Sequence, residues 1–176
     1  GEVFGVTDAR PYIAPAAAPG AQGAITVSLG VGDNPAKRFG GDFEARLLGL
    51  LAATGVPVAI DSGGSAEEAE RVRRAVEASG ARVQVLSGSF ASFAAAIAAS
   101  RLYVGYDSAG QHVAAAAGVP LISIFRGFPS ERFFERWRPT GRGPIEIIKA
   151  GQPADAVLTR VSELLRAYSS WLPNAS

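Results

Sequence analysis

The chain has no cysteine, which excludes disulfides, thiolate metal sites and thiol nucleophiles together. Its single histidine excludes a metal site built from several imidazoles. Methionine is absent as well, even at position 1, so the sequence reads as a fragment or a processed chain, and a fragment can carry only part of an active site. No apolar run approaches the roughly 20 residues that span a bilayer, and segment 1–23 lacks the basic-then-apolar order of a secretory signal. A cytoplasmic protein, touching a membrane at most peripherally at its inner face, is the expectation. Net charge is also nearly absent: 17 basic and 16 acidic residues leave +1, without the electropositive footprint that nucleic acid requires. Basic residues gather only locally, at Lys37 and Arg38, from Arg71 to Arg74, and from Arg132 to Arg142. These clusters leave room for one small anionic ligand or an acidic membrane surface, although the run from Arg71 to Arg74 reads as a solvated helix face.

What is present suits one folded domain. A length of 176 residues with 48% hydrophobic residues and a mean hydropathy of +0.17 is ample for a sizeable core. Segment 1–23, with Pro11, Pro15 and Pro19 among small residues, lacks periodicity and reads as a linker or extended arm, leaving 24–176 as the domain. From there, short β-branched runs alternate with longer amphipathic stretches. Strands are predicted at 24–29 (AITVSL), 57–61 (PVAID), 82–86 (RVQVL), 102–106 (LYVGY), 119–125 (VPLISIF) and 145–149 (IEIIK). Helices are predicted at 42–53 with Asp42 as cap, after Ser65 up to Gly80, and at 89–99, 108–117 and 154–168. Phe90, Phe93 and Ile97 recur at i, i+3 and i+7 and are expected to pack inward. The pattern predicts an α/β fold: a doubly wound parallel sheet, Rossmann-like, with helices on both faces. In such sheets ligands bind beyond the carboxyl ends of the strands, so the candidate chemistry lies in the loops that follow them.

The loop after the fourth strand runs Asp107-Ser108-Ala109-Gly110-Gln111-His112 and leads into an alanine-rich helix. Asp107 or Ser108 would cap that helix, and its free N–H groups with the positive end of the dipole make an anion site. Gly110 and the alanines let the backbone lie close to the sheet and to a ligand. His112, one turn in, reads either as a neutral imidazole beside a phosphate or sugar hydroxyl, or as a ring packed on the neighbouring loop; its place behind a strand–cap–helix junction favours the first. The glycine-rich loop 30–41 holds Lys37, which reads equally as a phosphate partner or as a surface lysine; neither a Walker pattern nor GxGxxG is present. Glu68, three residues after Ser65, fits a capping box better than a ribose contact.

KRF after strand one, GGSAEEAER after strand two, and above all VGYDSAGQHVAAAAGVPLISIF resemble the carboxy-terminal domain of glycosyltransferase family 9, the ADP-heptose:lipopolysaccharide heptosyltransferases and their relatives. The resemblance runs from about Ala24 to Gly141 and includes RPY at 10–12. It implies one half of a GT-B enzyme, the Rossmann-like half that binds a nucleoside diphosphate sugar, ADP-linked, without a metal or other cofactor. Lys37 then matches a lysine on donor phosphate, Glu68 a ribose contact and Asp107 an aspartate on the donor sugar. Ser108, Ala109, Gly110 and His112 match the helix start around the diphosphate, and Gly88 lies near the nucleobase. The acceptor site and the catalytic carboxylate are implied to belong to an amino-terminal domain this chain does not contain, with a glycan or glycolipid as acceptor, so the fragment alone is expected to be inactive. Ala109 replaces the usual glycine, Phe39 and Gly40 replace tryptophan and proline, and 126–129 (RGFP) replaces a small-residue turn. These departures bear on the donor sugar, and the aromatic and basic segment 125–141 is expected to face the absent domain. A stand-alone nucleotide-binding or regulatory module is the competing reading; an epimerase would need acids and bases beyond His112.

Overall fold

A computed structural model describes residues 11–13, 21–32, 34–149 and 151–168. Most of the arm at 1–23, including Arg10, and the end of the chain beyond 168 lie outside the described residues. Six strands, β1 (Ile25–Ser28), β2 (Val58–Asp61), β3 (Val83–Leu86), β4 (Leu102–Tyr106), β5 (Leu121–Phe125) and β6 (Ile145–Lys149), alternate with six helices. The helices are α1 (Phe43–Ala52), α2 (Ala66–Ser79), α3 (Phe90–Ala98), α4 (Ala109–Ala117), α5 (Glu131–Trp137) and α6 (Ala154–Tyr168), and a short 3-10 turn, Pro35–Lys37, interrupts the first loop. All strand pairs are parallel and the sheet order is β3-β2-β1-β4-β5-β6.

Period-two alternation sorts the strand residues onto two faces. Ile25, Val27, Leu102, Val104, Ile122 and Ile124 join Leu47 and Leu48 of α1, Val72 of α2 and Val161 of α6 in one buried cluster. Tyr103 and Leu121 point the other way, into a second cluster with Phe93 and Ile97 of α3 and Ala114 and Ala115 of α4. That face extends toward α5, where Phe134 packs edge-on to Phe125 with ring centres 5.0 Å apart.

Local chemistry accounts for the helix ends. Ser65, Ser89 and Ser130 each accept a hydrogen bond from the backbone N–H three residues on, the expected N-cap geometry. Gly80 and Gly118 close α2 and α4 in the left-handed conformation. Asp42 occupies the N-cap position of α1 without capping through its side chain; its carboxylate lies 3.7 Å from Arg46 instead.

Three expectations need correction. Phe90 is 57% exposed, because it begins α3 directly after β3, the edge strand, where no further strand offers a surface; Phe93 and Ile97 are in the core as expected. Arg71 does not share the solvated face of Arg73 and Arg74: its side chain is only 16% exposed and its Nη2 donates to the Leu29 carbonyl at 2.8 Å. Part of the 125–141 segment is internal. It forms α5, capped by Ser130, and Phe125, Phe128 and Phe134 pack on one another, while Trp137 remains 46% exposed.

Candidate functional site

The chain winds from β1 outward to β3, then returns to β4 on the other side of β1. The connections leaving the carboxyl ends of β1 and β4 therefore diverge at the switch point of the sheet, the place where sheets of this kind hold a ligand crevice. Lys37 comes from the first of these connections and Asp107, Ser108 and α4 from the second.

Lys37 sits on the 3-10 turn, whose start is fixed by Asn34 accepting from the Ala36 N–H at 3.1 Å. Its Nζ lies 2.8 Å from Asp107 Oδ2 and donates to the Asp107 carbonyl at 3.2 Å. Both side chains are largely buried, at 16% and 6% exposure, so this is an ion pair spanning the crevice. The loop carrying Lys37 is tied down on several sides. Tyr106 accepts from the Phe39 N–H at 3.2 Å, and burial holds its phenol above the ordinary range. Arg38 pairs with the buried Glu44 at 3.1 Å. Arg126, on the loop after β5, donates to the carbonyls of Ala36 and Arg38 and stacks 4.6 Å over the Phe39 ring. Gly127, at φ +69, lets that loop touch the turn; a Cβ there would lie 2.8 Å from the Ala36 carbonyl.

On the opposite side, Asp107 is 4% exposed and its N–H bonds to the Ile124 carbonyl. Ser108 is the N-cap residue of α4, yet neither it nor Asp107 caps through its side chain. The Ser108 and Ser28 hydroxyls instead approach the Tyr103 phenol, which burial pushes up to about 12 against their opposing effect. None of these contacts aligns well: Ser108 Oγ, Tyr103 Oη and Asp107 Oδ2 are buried oxygens without a well-formed hydrogen bond. Gly110 is buried, and the space a side chain would need is filled by the Tyr103 ring. Glycine at 110 is thus required by the sheet below it. Ala109 is exposed in the first turn.

His112 is exposed on the next turn of α4. Partial loss of water lowers its pKa; Asp107 pulls the other way and Lys37 lowers it further. Glu68 satisfies Gly64 rather than the N-cap itself, accepting from the Gly64 N–H at 2.8 Å while Ser65 accepts from the Glu68 N–H at 3.1 Å. Its other oxygen would stand 3.7 Å from a Cβ on Gly30, which puts the carboxylate at the rim of the crevice. Asp61, at the end of β2, is raised by burial, opposed by the Gly63 N–H and reinforced by Glu68. Gly88 lies apart, exposed after β3, the strand two places from β1 in the sheet.

Sequence reasoning did not single out Gln111. It is fully buried; its amide donates to Asp107 Oδ1 at 2.5 Å and accepts from the Ser123 hydroxyl at 2.5 Å. A polar residue four positions after Asp107, on the sheet-facing side of an alanine-rich helix, was the available signal. Among the described residues, no group of three or more histidine, cysteine, aspartate or glutamate side chains could hold a metal ion, and no helix is long and apolar enough to cross a membrane.

Sheet order, parallel pairing and a crevice at the switch point define a Rossmann-like α/β domain. The chain belongs to glycosyltransferase family 9 (heptosyltransferase), whose family model matches residues 10–147. Among curated proteins no relative matches the sequence. Among solved structures, E. coli heptosyltransferase WaaC with ADP is similar at 24% identity and a TM-score of 0.66, over 83% of this chain and 46% of that one. E. coli ADP-heptose lps heptosyltransferase II is similar at 23% identity and a TM-score of 0.59, over 96% of this chain and 50% of that one. The glycosyl transferase family 9 protein from Veillonella parvula gives 20% identity and a TM-score of 0.58, over 85% and 46%. These likenesses establish the fold, and the chain spans about half the length of the structures it matches.

Proposed function

We propose that this chain is the donor-binding half of a GT-B glycosyltransferase and holds a nucleoside diphosphate sugar, ADP-linked, in the crevice between β1 and β4. The observation that carries the reading is the convergence of Lys37, Asp107 and Ser108 at the amino end of α4. A diphosphate there would meet free helix N–H groups and the Lys37 ammonium, the two stabilisers a departing nucleoside diphosphate needs. Ala109 and Gly110 would line its path, and His112 would meet it as a neutral ring. Asp107 would face the donor sugar, Glu68 the ribose and Gly88 the base. Family membership supports transfer chemistry, and two of the similar structures are named as holding ADP or ADP-2-deoxy-2-fluoro heptose. In this reading transfer is metal-independent, and the acceptor, a glycan or glycolipid, is held by a second domain outside this sequence.

Calorimetric titration of the chain with ADP, UDP and GDP tests the reading. We expect ADP to bind preferentially. Lys37→Ala should weaken it roughly 10- to 100-fold, the value of one charge-assisted hydrogen bond. Absence of binding by the folded chain at millimolar nucleotide, or affinity untouched by Lys37→Ala, would overturn it.

A further inference from the structure

Asp107 is held from two directions. Lys37 meets Oδ2, and the Gln111 amide donates to Oδ1. The orientation of that amide is dictated by its neighbours: an ionised carboxylate only accepts, so the NH2 group must face Asp107, and the carbonyl then accepts from Ser123 on β5. Two further groups lie near the Gln111 nitrogen, the Trp137 carbonyl at 3.5 Å and His112 Nε2 at 3.4 Å. The amide nitrogen has two hydrogens and no lone pair to offer. An Nε2–H on His112 would point donor at donor across this contact, so the contact favours an imidazole that carries its proton on Nδ1.

We propose that Gln111 is a positioning residue, a buried bridge from β5 that orients the Asp107 carboxylate beside Lys37 and sets His112 as the Nδ1–H tautomer. The role deepens the donor-site reading and rests on it: Asp107 keeps its place when Lys37 turns to a diphosphate, and His112 presents an N–H to it. Gln111 is itself fully buried and acts through its two neighbours.

Gln111→Met is close in length and apolar, so it removes the bridge with little change in volume. The test is a double-mutant cycle with Asp107→Ala, read as ADP affinity by calorimetry, with thermal melts confirming that each variant is folded. Gln111→Met should cost about tenfold in affinity when Asp107 is present and nothing when it is absent; equal losses in both backgrounds would overturn the bridge. Ser123→Ala, which frees the other end of the amide, should produce a smaller loss of the same kind. A second readout needs no ligand. Because His112 is the only histidine, nitrogen-15 spectra report one imidazole, and the wild-type chain should show a proton-free Nε2 whose share falls in Gln111→Met. A ring that is already Nε2–H in the wild type, or unchanged in the variant, would refute the assignment. If no nucleotide binds but the imidazole behaves as stated, the donor reading fails while the bridge stands.

Discussion

The two faces of the sheet are built from the same strands and differ completely. Toward α1, α2 and α6, the central strands present Ile25, Val27, Leu102, Val104, Ile122 and Ile124, an unbroken apolar layer. Toward α3 and α4, the alternate positions are Thr26, Ser28, Tyr103, Gly105, Leu121 and Ser123. The polar groups of this second face are buried and gather under the α4 end of the crevice. Burying hydroxyls contributes less than burying methyl groups and costs free energy where pairing is imperfect. One face therefore supplies the stability and the other spends some of it on holding α4, Asp107 and Gln111 in place.

Truncation should separate the two faces most sharply. Leu48→Ala, at a fully buried site on the apolar face, is expected to lose about 2–5 kcal/mol in denaturant unfolding while the folded fraction keeps its nucleotide affinity; a weakened site in that variant would break the division of labour. Gly110→Ala should cost about 1–3 kcal/mol, because the added methyl meets the Tyr103 phenol. Combining it with Tyr103→Phe should return part of that loss, and strictly additive losses would show that the ring is not the obstacle.

The smallest effect belongs to His112. Its folded pKa lies below the ordinary 6.5, so between the two values the unfolded chain binds more protons than the folded one. Stability should then fall as pH drops through about 6.5 toward the lower, folded value and gain no further loss beneath it. Its exposure keeps the effect modest. Comparing wild-type and His112→Ala unfolding midpoints between pH 5 and pH 8 isolates it, and identical profiles would show that the ring is not held neutral.

Most of the architecture was legible because β-branched runs, serine caps and closing glycines are local signals. The helix α5 was not, since seven residues rich in arginine, glutamate and aromatics carry too short a period to stand out. At the candidate site, Lys37, Glu68 and the Asp107 to His112 segment stood out as candidates because they follow strands. The bonds that place them could not. Gln111 finds its partner twelve residues away on β5, Arg71 reaches back 42 residues to Leu29, and Arg126 reaches 88 residues to Arg38. Such pairings exist only once the sheet order is set. The Phe90 miss has the same origin, because helical periodicity says which residues share a face but not where the sheet ends.

The clasp made by Arg126 has an evolutionary consequence. Its hydrogen-bond acceptors are main-chain carbonyls of residues 36 and 38, which every amino acid possesses. The arginine, the Phe39 ring and the glycine beside it are constrained by this contact, whereas the side chain at 36 can drift without unfastening it and the side chain at 38 answers to Glu44 instead. The loop that carries Lys37 can thus change at its surface while its lysine stays anchored.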